Sequence, residues 1–107
     1  MEERTYQAMK KRGIITERQF FVKAGNENYF LDFCVFCKKG NIDIECDSNK
    51  YHTSAKASEK DRIRNNQLVS HGWHVLRFSS QEINNDIKNC IDIIKKTINN
   101  LGGLKKD

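Results

Sequence analysis

The residues whose types and spacing could support chemistry lie between Asp32 and His52. Two runs with strand-like composition flank a Lys-Lys-Gly-Asn turn, and these runs carry the acids Asp32, Glu45 and Asp47. Residues two apart in a strand share a face, so Glu45 and Asp47 point to one side and Cys46 points to the other. If the two runs pair as a hairpin, Asp32 lies roughly opposite Glu45.

This group of acids predicts a site for a divalent metal ion. Three carboxylates that come together repel one another, and each raises the pKa of the others unless a cation lies among them. Asp32 lies between Leu31 and Phe33, in an apolar run where an unpaired carboxylate is costly to bury. Oxygen ligands without converging sulfur suit Mg²⁺ rather than Zn²⁺. We therefore expect a metal site with His52 beside it.

A Cys-x-x-Cys pair, Cys34 and Cys37, raises the alternatives of a zinc protein and a redox protein. A structural zinc site takes four ligands, usually from two such pairs, and the sequence has no second pair. In a strand, residues three apart face opposite sides, and a thioredoxin-type pair requires a helix N-terminus. The pattern favours buried thiols over a zinc site or a redox pair. We therefore prefer the carboxylate metal site as the functional centre.

The elements that must position these residues follow from periodicity and turn residues. Both faces of the strand over 29–36 are largely apolar, which is typical of a central strand covered on both sides. Isoleucines recur every three or four residues after a capping box at Ser79 and Glu82, which predicts one last helix. The tail from Gly102 to Asp107 is expected to fray. The predicted order is α-β-β-β-α-β-α, with helices and strands over 2–12, 18–23, 29–36, 41–47, 55–70, 73–78 and from 79 onward.

These elements form an α/β fold, an α+β sandwich with a mixed central sheet of about four strands. The 107 residues suit one domain with one modest core. The four cysteines are few and unevenly spaced, which is typical of reduced thiols in the cytosol. The sequence has no apolar run near the roughly 20 residues that cross a bilayer, and no signal-peptide pattern at its start. We expect a cytoplasmic protein.

The net charge of +5 and the pI near 9.1 favour a polyanionic partner such as nucleic acid. Basic residues are expected on the outer face of the first helix and on an exposed face of the second. Lysines and arginines at such places bind phosphates, which position a duplex without reading its sequence. The candidates for phosphate contacts are Lys10, Lys11, Lys50, Lys56, Arg62 and Arg64.

Several short motifs then occur in one order along the chain: Asp32-Phe33, Ile44-Glu45-Cys46-Asp47, His52, Asp61 with Arg64 and Leu68, Gly72-Trp73, Val75-Leu76-Arg77-Phe78, and Glu82-Ile83. In this order and spacing, the chain resembles the PD-(D/E)xK restriction-endonuclease-like superfamily over roughly residues 2 to 95. Within that superfamily it is most similar to very-short-patch repair endonucleases and to related catalytic domains of phage homing endonucleases. No single motif is specific, and the joint order carries the resemblance.

The resemblance implies a catalytic strand pair around a metal ion. Asp32 resembles the metal-bridging aspartate and Glu45 the second acid, and the main-chain carbonyl of Cys46 is then a further ligand. A glutamate of the first helix often lies near the metal in this superfamily. Either Glu2 or Glu3 fits that place, and the register leaves both open.

The resemblance also implies a base. Asp47 stands where the wider superfamily usually has lysine, so the chain departs from the pattern at a residue that stabilises charge around the attacking water. In the very-short-patch branch a histidine just downstream is the base, and His52 fits that place. Asp61 would lie near His52 and orient it.

The function implied is Mg²⁺- or Mn²⁺-dependent hydrolysis of phosphodiester bonds in double-stranded DNA, as nicks or as double-strand cuts, in a bacterial or phage-infected cell. The chain would be the catalytic domain of a homing or mismatch-repair-type endonuclease. Its small size implies a separate DNA-binding domain absent from this chain, or a homodimer. The alternative is a nucleic-acid-binding module that has kept the fold and lost cleavage, which the missing lysine supports.

Overall fold

The computed structural model describes residues 2–47 and 55–106, without the side chains of residues 55–57. Within these ranges the chain forms α1 (Glu2–Lys11), β1 (Glu17–Ala24), β2 (Glu27–Cys37), β3 (Gly40–Asp47), α2 (Ala55–Ser70), β4 (Trp73–Ser79), α3 (Ser80–Asn85) and α4 (Ile87–Asn100). The predicted order of elements is confirmed, except that the last helix is two helices. None of the described helices is long and apolar enough to cross a membrane.

The four strands form one mixed sheet in the order β1-β2-β3-β4. β1 pairs antiparallel with β2, and β2 pairs antiparallel with β3 across the turn that follows Cys37. β3 and β4 run parallel, and α2 is the crossover helix that such a pair requires. The predicted mixed sheet of about four strands, flanked by helices, is therefore confirmed.

Two groups of buried apolar residues cover the two faces of the sheet. One group joins β2 and β3 to α1 and α4, and it includes Met9, Phe33, Val35 and Ile94. The other lies on the side of α2 and includes Cys34, Leu68 and Trp73, with Phe36 packed against it. From Phe33 to Cys37 the residues of β2 alternate between the two groups, as expected for a central strand that is covered on both sides.

The expectation of one last helix is wrong because Asp86 ends α3 and begins α4. Its backbone (φ −152°, ψ 60°) is not helical, and its side chain accepts a hydrogen bond from the N–H of Asn89. Its own N–H donates to the carbonyl of Glu82. An aspartate that caps the following turn competes with continuation of the preceding helix. The isoleucine stripe still packs inward, with Ile91 and Ile94 fully buried.

The expectation of a frayed C-terminal tail is also wrong. The N–H of Lys38 donates to the carbonyl of Gly103 (3.0 Å), and the N–H of Lys105 donates to the carbonyl of Phe36 (2.9 Å). Leu104 forms a β-bridge with Cys37. The tail is therefore held against the end of β2 by backbone hydrogen bonds that the residue types did not reveal.

Candidate active site

The backbone pairing of β2 and β3 stops at Asp32. Beyond that point, hydrogen bonds from backbone N–H groups to two side-chain carboxylates link the strands. The regular ladder runs from Cys37 opposite Gly40 to Phe33 opposite Ile44. At the next position the N–H of Asp32 donates to Oε2 of Glu45 (3.1 Å), and the N–H of Cys46 donates to Oδ2 of Asp32 (3.0 Å). Asp32 and Glu45 thus lie together, as their positions in the hairpin predict, where the two strands part.

The bend in β2 at Asp32 is visible in the packing on either side of it. Leu31 and Phe33 are two residues apart, which in a regular strand puts both on one face. Here Leu31 packs on the side of α2, whereas Phe33 packs on the side of α1 and α4. In the neighbouring strand, Gln19 lies across from Asp32 and has φ of 50°, an uncommon value for a residue with a side chain. The sheet is therefore distorted at the level of the candidate site.

The first helix brings Glu2, and not Glu3, to this place. Glu2 lies close enough to Asp32 to raise its pKa, and it accepts a hydrogen bond from the side chain of Gln19 (3.2 Å). Glu3 is exposed and forms an ion pair with Arg18 (3.0 Å). Of the two helix-one acids that the sequence left open, Glu2 is the one beside the candidate site.

The environment of Asp32 disfavours its charged form. Burial raises the pKa of Asp32 to about 6, the N–H of Cys46 acts in the opposite direction, and the neighbouring carboxylates of Glu45 and Glu2 raise it further. A cation beside Asp32 would relieve both the desolvation and the repulsion. The electrostatics at the point where the strands part therefore suit a positive charge.

Asp43 is an acid of this site that the sequence analysis missed. Its side chain is completely buried, and in the described part of the chain neither carboxylate oxygen has a hydrogen-bond donor. Burial, followed by the closeness of Glu45, raises the pKa of Asp43 to about 9, so the neutral form of Asp43 is favoured near pH 7. A signal was present, since Asp43, Glu45 and Asp47 alternate with apolar residues at the period of a strand.

Arg64 lies inside the site, and its predicted place on the exposed face of α2 is wrong. Its side chain is 15% exposed, with Nη2 at 3.2 Å from Oε1 of Glu45 and Nη1 at 3.7 Å from Oδ2 of Asp43. Nη2 also donates to the carbonyl of Phe30 (3.3 Å). The buried carboxylate of Glu45 beneath α2 attracts this arginine inward, because an unpaired buried charge is expensive.

The other predicted phosphate-binding residues fall into two groups. Arg62, Lys10 and Lys11 are exposed, as expected. Lys50 lies outside the described residues, and so does the side chain of Lys56. Three of the predicted phosphate-binding residues, Lys10, Lys11 and Arg62, are therefore accessible to DNA in the described part of the chain.

A second ion-pair group joins β3, β4 and α2. Nε of Arg77 lies 2.7 Å from Oδ2 of Asp47, and Nη2 of Arg77 lies 3.2 Å from the other oxygen of that carboxylate. Nη2 also lies 3.5 Å from Oδ2 of Asp61, and Nη1 donates to Asn65 (3.1 Å). Asp61 thus lies beside Arg77, while His52, the base it was expected to orient, is outside the described residues.

The oxygen donors where β2 and β3 part form a pair of carboxylates, Asp32 and Glu45. Within residues 2–47 and 55–106, no three His, Cys, Asp or Glu side chains form a group that could hold a metal. Asp32 and Glu45 form a pair instead, and Mg²⁺ is typically held by one or two carboxylates while it keeps several waters. The carbonyl of Cys46 as a further ligand stays a prediction. The chemistry of this pair fits a hard divalent cation.

The cysteines are placed for packing. Cys34, Cys37, Cys46 and Cys90 are all buried as free thiols. Cys34 and Cys37 belong to the apolar groups on opposite faces of the sheet, so their sulfurs point away from each other. Burial raises the pKa of Cys34 and Cys46 to about 12, which keeps both thiols protonated and poor as metal ligands.

Comparison with known proteins gives one family. The model of the family REase_MTES_1575, which carries a restriction-endonuclease-like name, matches residues 1–98. An uncharacterized protein of Haemophilus influenzae is 32% identical over 74 residues, which make up 69% of this chain and 59% of that protein. The matched part of the chain thus spans less than two thirds of that relative. No solved structure matches the chain. The family match covers the acid pair, α2 and the whole sheet, and the chain belongs to the restriction-endonuclease-like family REase_MTES_1575.

Proposed function

We propose that this protein is an endonuclease that hydrolyses phosphodiester bonds of double-stranded DNA with the help of Mg²⁺ or Mn²⁺. The family supports a nuclease-type function and DNA as the substrate. The observation that carries the finer proposal is the pair Asp32 and Glu45, whose carboxylates replace the strand ladder where β2 and β3 part. The raised pKa of Asp32 supports a cation there.

Asp32, Glu45 and the main-chain carbonyl of Cys46 are the groups that would hold the metal ion. A divalent ion held by these groups would supply Lewis-acid chemistry, which would polarise the phosphate and offset charge on the leaving oxygen. The protein keeps the two carboxylates in place through the N–H groups of Cys46 and Asp32, each of which donates to the other strand's acid. Ligands fixed in this way need little rearrangement when the ion binds.

His52 is the proposed base that accepts the proton of the attacking water. An unperturbed histidine titrates near pH ~6.5, so a neutral imidazole is available at physiological pH. Asp47, the other candidate, accepts two bonds from the guanidinium of Arg77. Both oxygens of this carboxylate are engaged by one guanidinium, which favours a structural task for Asp47.

The finer placement in the very-short-patch branch rests on the motif order and on a histidine downstream of the Glu45-x-Asp47 run. We extend the proposal to nicking of one strand by a monomer, since a cut of both strands requires two active sites or two successive nicks. A core of this size leaves little surface for reading bases. Target recognition is therefore assigned to a second copy of the chain or to a further domain.

The competing function is a nucleic-acid-binding module that no longer cleaves. It is favoured by one observation, the presence of Asp47 at the usual lysine position and its pairing with Arg77. Such a module would bind DNA through Arg62, Lys10 and Lys11 and would gain nothing from a divalent metal ion.

Nicking of supercoiled plasmid DNA with and without Mg²⁺ or Mn²⁺ separates the two functions. We expect metal-dependent nicking by the wild-type protein and its loss in Asp32→Asn, because the amide cannot neutralise a cation. Asp92→Asn removes an exposed acid of α4 and serves as the matched control, with unchanged nicking. Equal nicking by Asp32→Asn would remove Asp32 from the site. DNA binding without nicking by the wild type would establish the competing function.

A further inference from the structure

Arg64 reaches the candidate site from α2, and its guanidinium faces two of the acids, Glu45 and Asp43. Its guanidinium lies 3.2 Å from Glu45 and 3.7 Å from Asp43, and it also donates to the carbonyl of Phe30 in β2. The carbon at the centre of the guanidinium lies 5.7 Å from the centroid of the Tyr29 ring. The side chain of Arg64 is therefore held by several contacts within the protein. An arginine that binds DNA phosphates would instead extend into solvent.

Both oxygens of Glu45 are occupied in this arrangement. Oε1 faces Nη2 of Arg64, and Oε2 accepts the hydrogen bond from the N–H of Asp32. Free rotation of the carboxylate would break one contact or the other. The orientation of Glu45 next to Asp32 thus depends on a residue that is 19 positions away in the sequence, across the whole of the undescribed segment.

We propose that Arg64 is a positioning residue, which holds the carboxylate of Glu45 in the orientation that a divalent metal ion at Asp32 and Glu45 requires. The metal part of this inference rests on the proposed function, whereas the hold on Glu45 does not. Hydrogen-bonded partners of metal ligands typically change metal affinity or activity by about 10- to 100-fold when removed.

Two other roles for Arg64 predict different results. If it served only as a counter-charge for the acids, its removal would leave the cluster more negative and would raise the affinity for a cation. If it served only to stabilise the fold, its removal would lower stability and leave metal affinity in the folded protein unchanged. The sign of the change in metal affinity therefore distinguishes positioning from both.

The first test measures Mn²⁺ binding to the DNA-free protein by calorimetry, under conditions in which circular dichroism shows each variant folded. We expect Arg64→Ala to bind Mn²⁺ about 10- to 100-fold more weakly than the wild type. Arg64→Lys keeps the charge but lacks the planar fork of donors, so it should lose less affinity than alanine and still fall below the wild type. Lys96→Ala removes an exposed positive charge of α4 outside the predicted DNA contacts, so it is the matched control and should bind Mn²⁺ as the wild type does. Unchanged or tighter binding by Arg64→Ala would overturn the proposal.

The second test does not involve metal. The N–H of Asp32 donates to Glu45, so its exchange with solvent reports on the position of that carboxylate. In Arg64→Ala, or in Arg64→Lys if alanine does not fold, exchange at Asp32 should quicken by roughly two- to tenfold relative to amides between Phe33 and Cys37, the range of one net hydrogen bond. Equal acceleration at all these amides, or none at Asp32, would overturn the positioning role.

The two tests keep this inference apart from the proposed function. A wild-type protein that binds no Mn²⁺ would defeat the proposed metal site, and the hold of Arg64 on Glu45 would then be decided by amide exchange alone. A wild type that binds Mn²⁺, with an Arg64→Ala variant that binds it equally well, would leave the metal site standing and would remove Arg64 from it.

Discussion

At the scale of single residues, the site combines the partly buried Asp32 with two buried acids, Glu45 and Asp43. Asp43 lies behind Glu45, and its raised pKa keeps it neutral near pH 7. A neutral carboxyl removes one negative charge from the cluster, so Arg64 is left to balance Glu45. Isolated charges are very unfavourable in such surroundings, and the site avoids them by protonation at one acid and by pairing at the other.

The buried carboxyl of Asp43 predicts a pH dependence of stability. Its pKa rises from an ordinary 3.8 to about 9 on folding, so its contribution to stability is fully present below about pH 4 and is lost as the pH rises towards 9. Asp43→Asn, which cannot ionise, should therefore lose less stability than the wild type over this range. Urea denaturation in EDTA at a series of pH values measures the difference.

Asp92→Asn is the control for the Asp43 experiment, since it removes an exposed acid of the same kind. Its unfolding free energy should follow that of the wild type at every pH. Parallel pH profiles for Asp43→Asn and the wild type would mean that Asp43 is not protonated in the folded protein.

His52 carries the prediction about proton transfer. If it is the base, the cleavage rate should rise with pH through the histidine pKa and then level off, because only the neutral imidazole accepts a proton. His52→Ala should lower turnover by roughly 10²–10⁴-fold, the usual worth of positioned general-base catalysis, with little loss of DNA affinity. Single-turnover rates and binding measured side by side would show this, and a nearly active His52→Ala variant would exclude His52 as the base.

Among the elements, α2 is tied to the sheet mainly by charged groups. Leu68 is fully buried, whereas Ile63 and Val69 are 44% and 59% exposed. Arginines add further connections, Arg64 from α2 to the acids of β3 and Arg77 from β4 to Asp61 and Asn65 of α2. The helix and the candidate site are therefore positioned by the same contacts.

The pairing of Asp47 with Arg77 predicts a structural defect when it is broken. Asp47→Asn should lower the free energy of unfolding by about 1–2 kcal/mol, the lower part of the range for hydrogen bonds to charged groups, since both side chains are about a quarter exposed. Urea denaturation measures this, with Asp92→Asn as the control. Loss of nicking without loss of stability would instead make Asp47 a catalytic residue.

At the scale of the whole molecule, the excess of positive charge should govern DNA binding. The chain carries 19 lysines and arginines against 14 acids, and several of the acids are engaged with Arg64 and Arg77. Binding that neutralises phosphates releases counterions, so the logarithm of affinity should fall linearly with the logarithm of salt concentration.

Replacement of Arg62 by alanine should flatten this salt dependence by about one unit, if the side chain contacts one phosphate. Binding is measured without divalent metal, so that cleavage does not interfere. Lys96→Ala, an exposed basic residue of α4 outside the predicted set, is the matched control and should leave the slope unchanged. An unchanged slope in Arg62→Ala would assign that arginine to the solvated surface.

The sequence by itself determined the features that depend on local periodicity. Alternation at a period of two put Phe33 and Cys34 on opposite faces of β2 and put Glu45 and Asp47 on one face of β3, and a short turn fixed the hairpin that brings Asp32 to Glu45. These relations hold within a strand or across one hairpin, where backbone geometry leaves few alternatives.

The tertiary structure decided which charges meet. Whether Arg64 faces solvent or Asp43 depends on the rotation of α2 over the sheet, and the pairing of Arg77 with Asp47 joins residues 30 positions apart. Residue types alone cannot predict the position of Arg64 or the partner of Arg77. An arginine on a helix with few apolar residues can face either solvent or a buried acid. The fold resolves the choice, since the buried carboxylate of Glu45 beneath the helix makes the inward position of Arg64 the more favourable one.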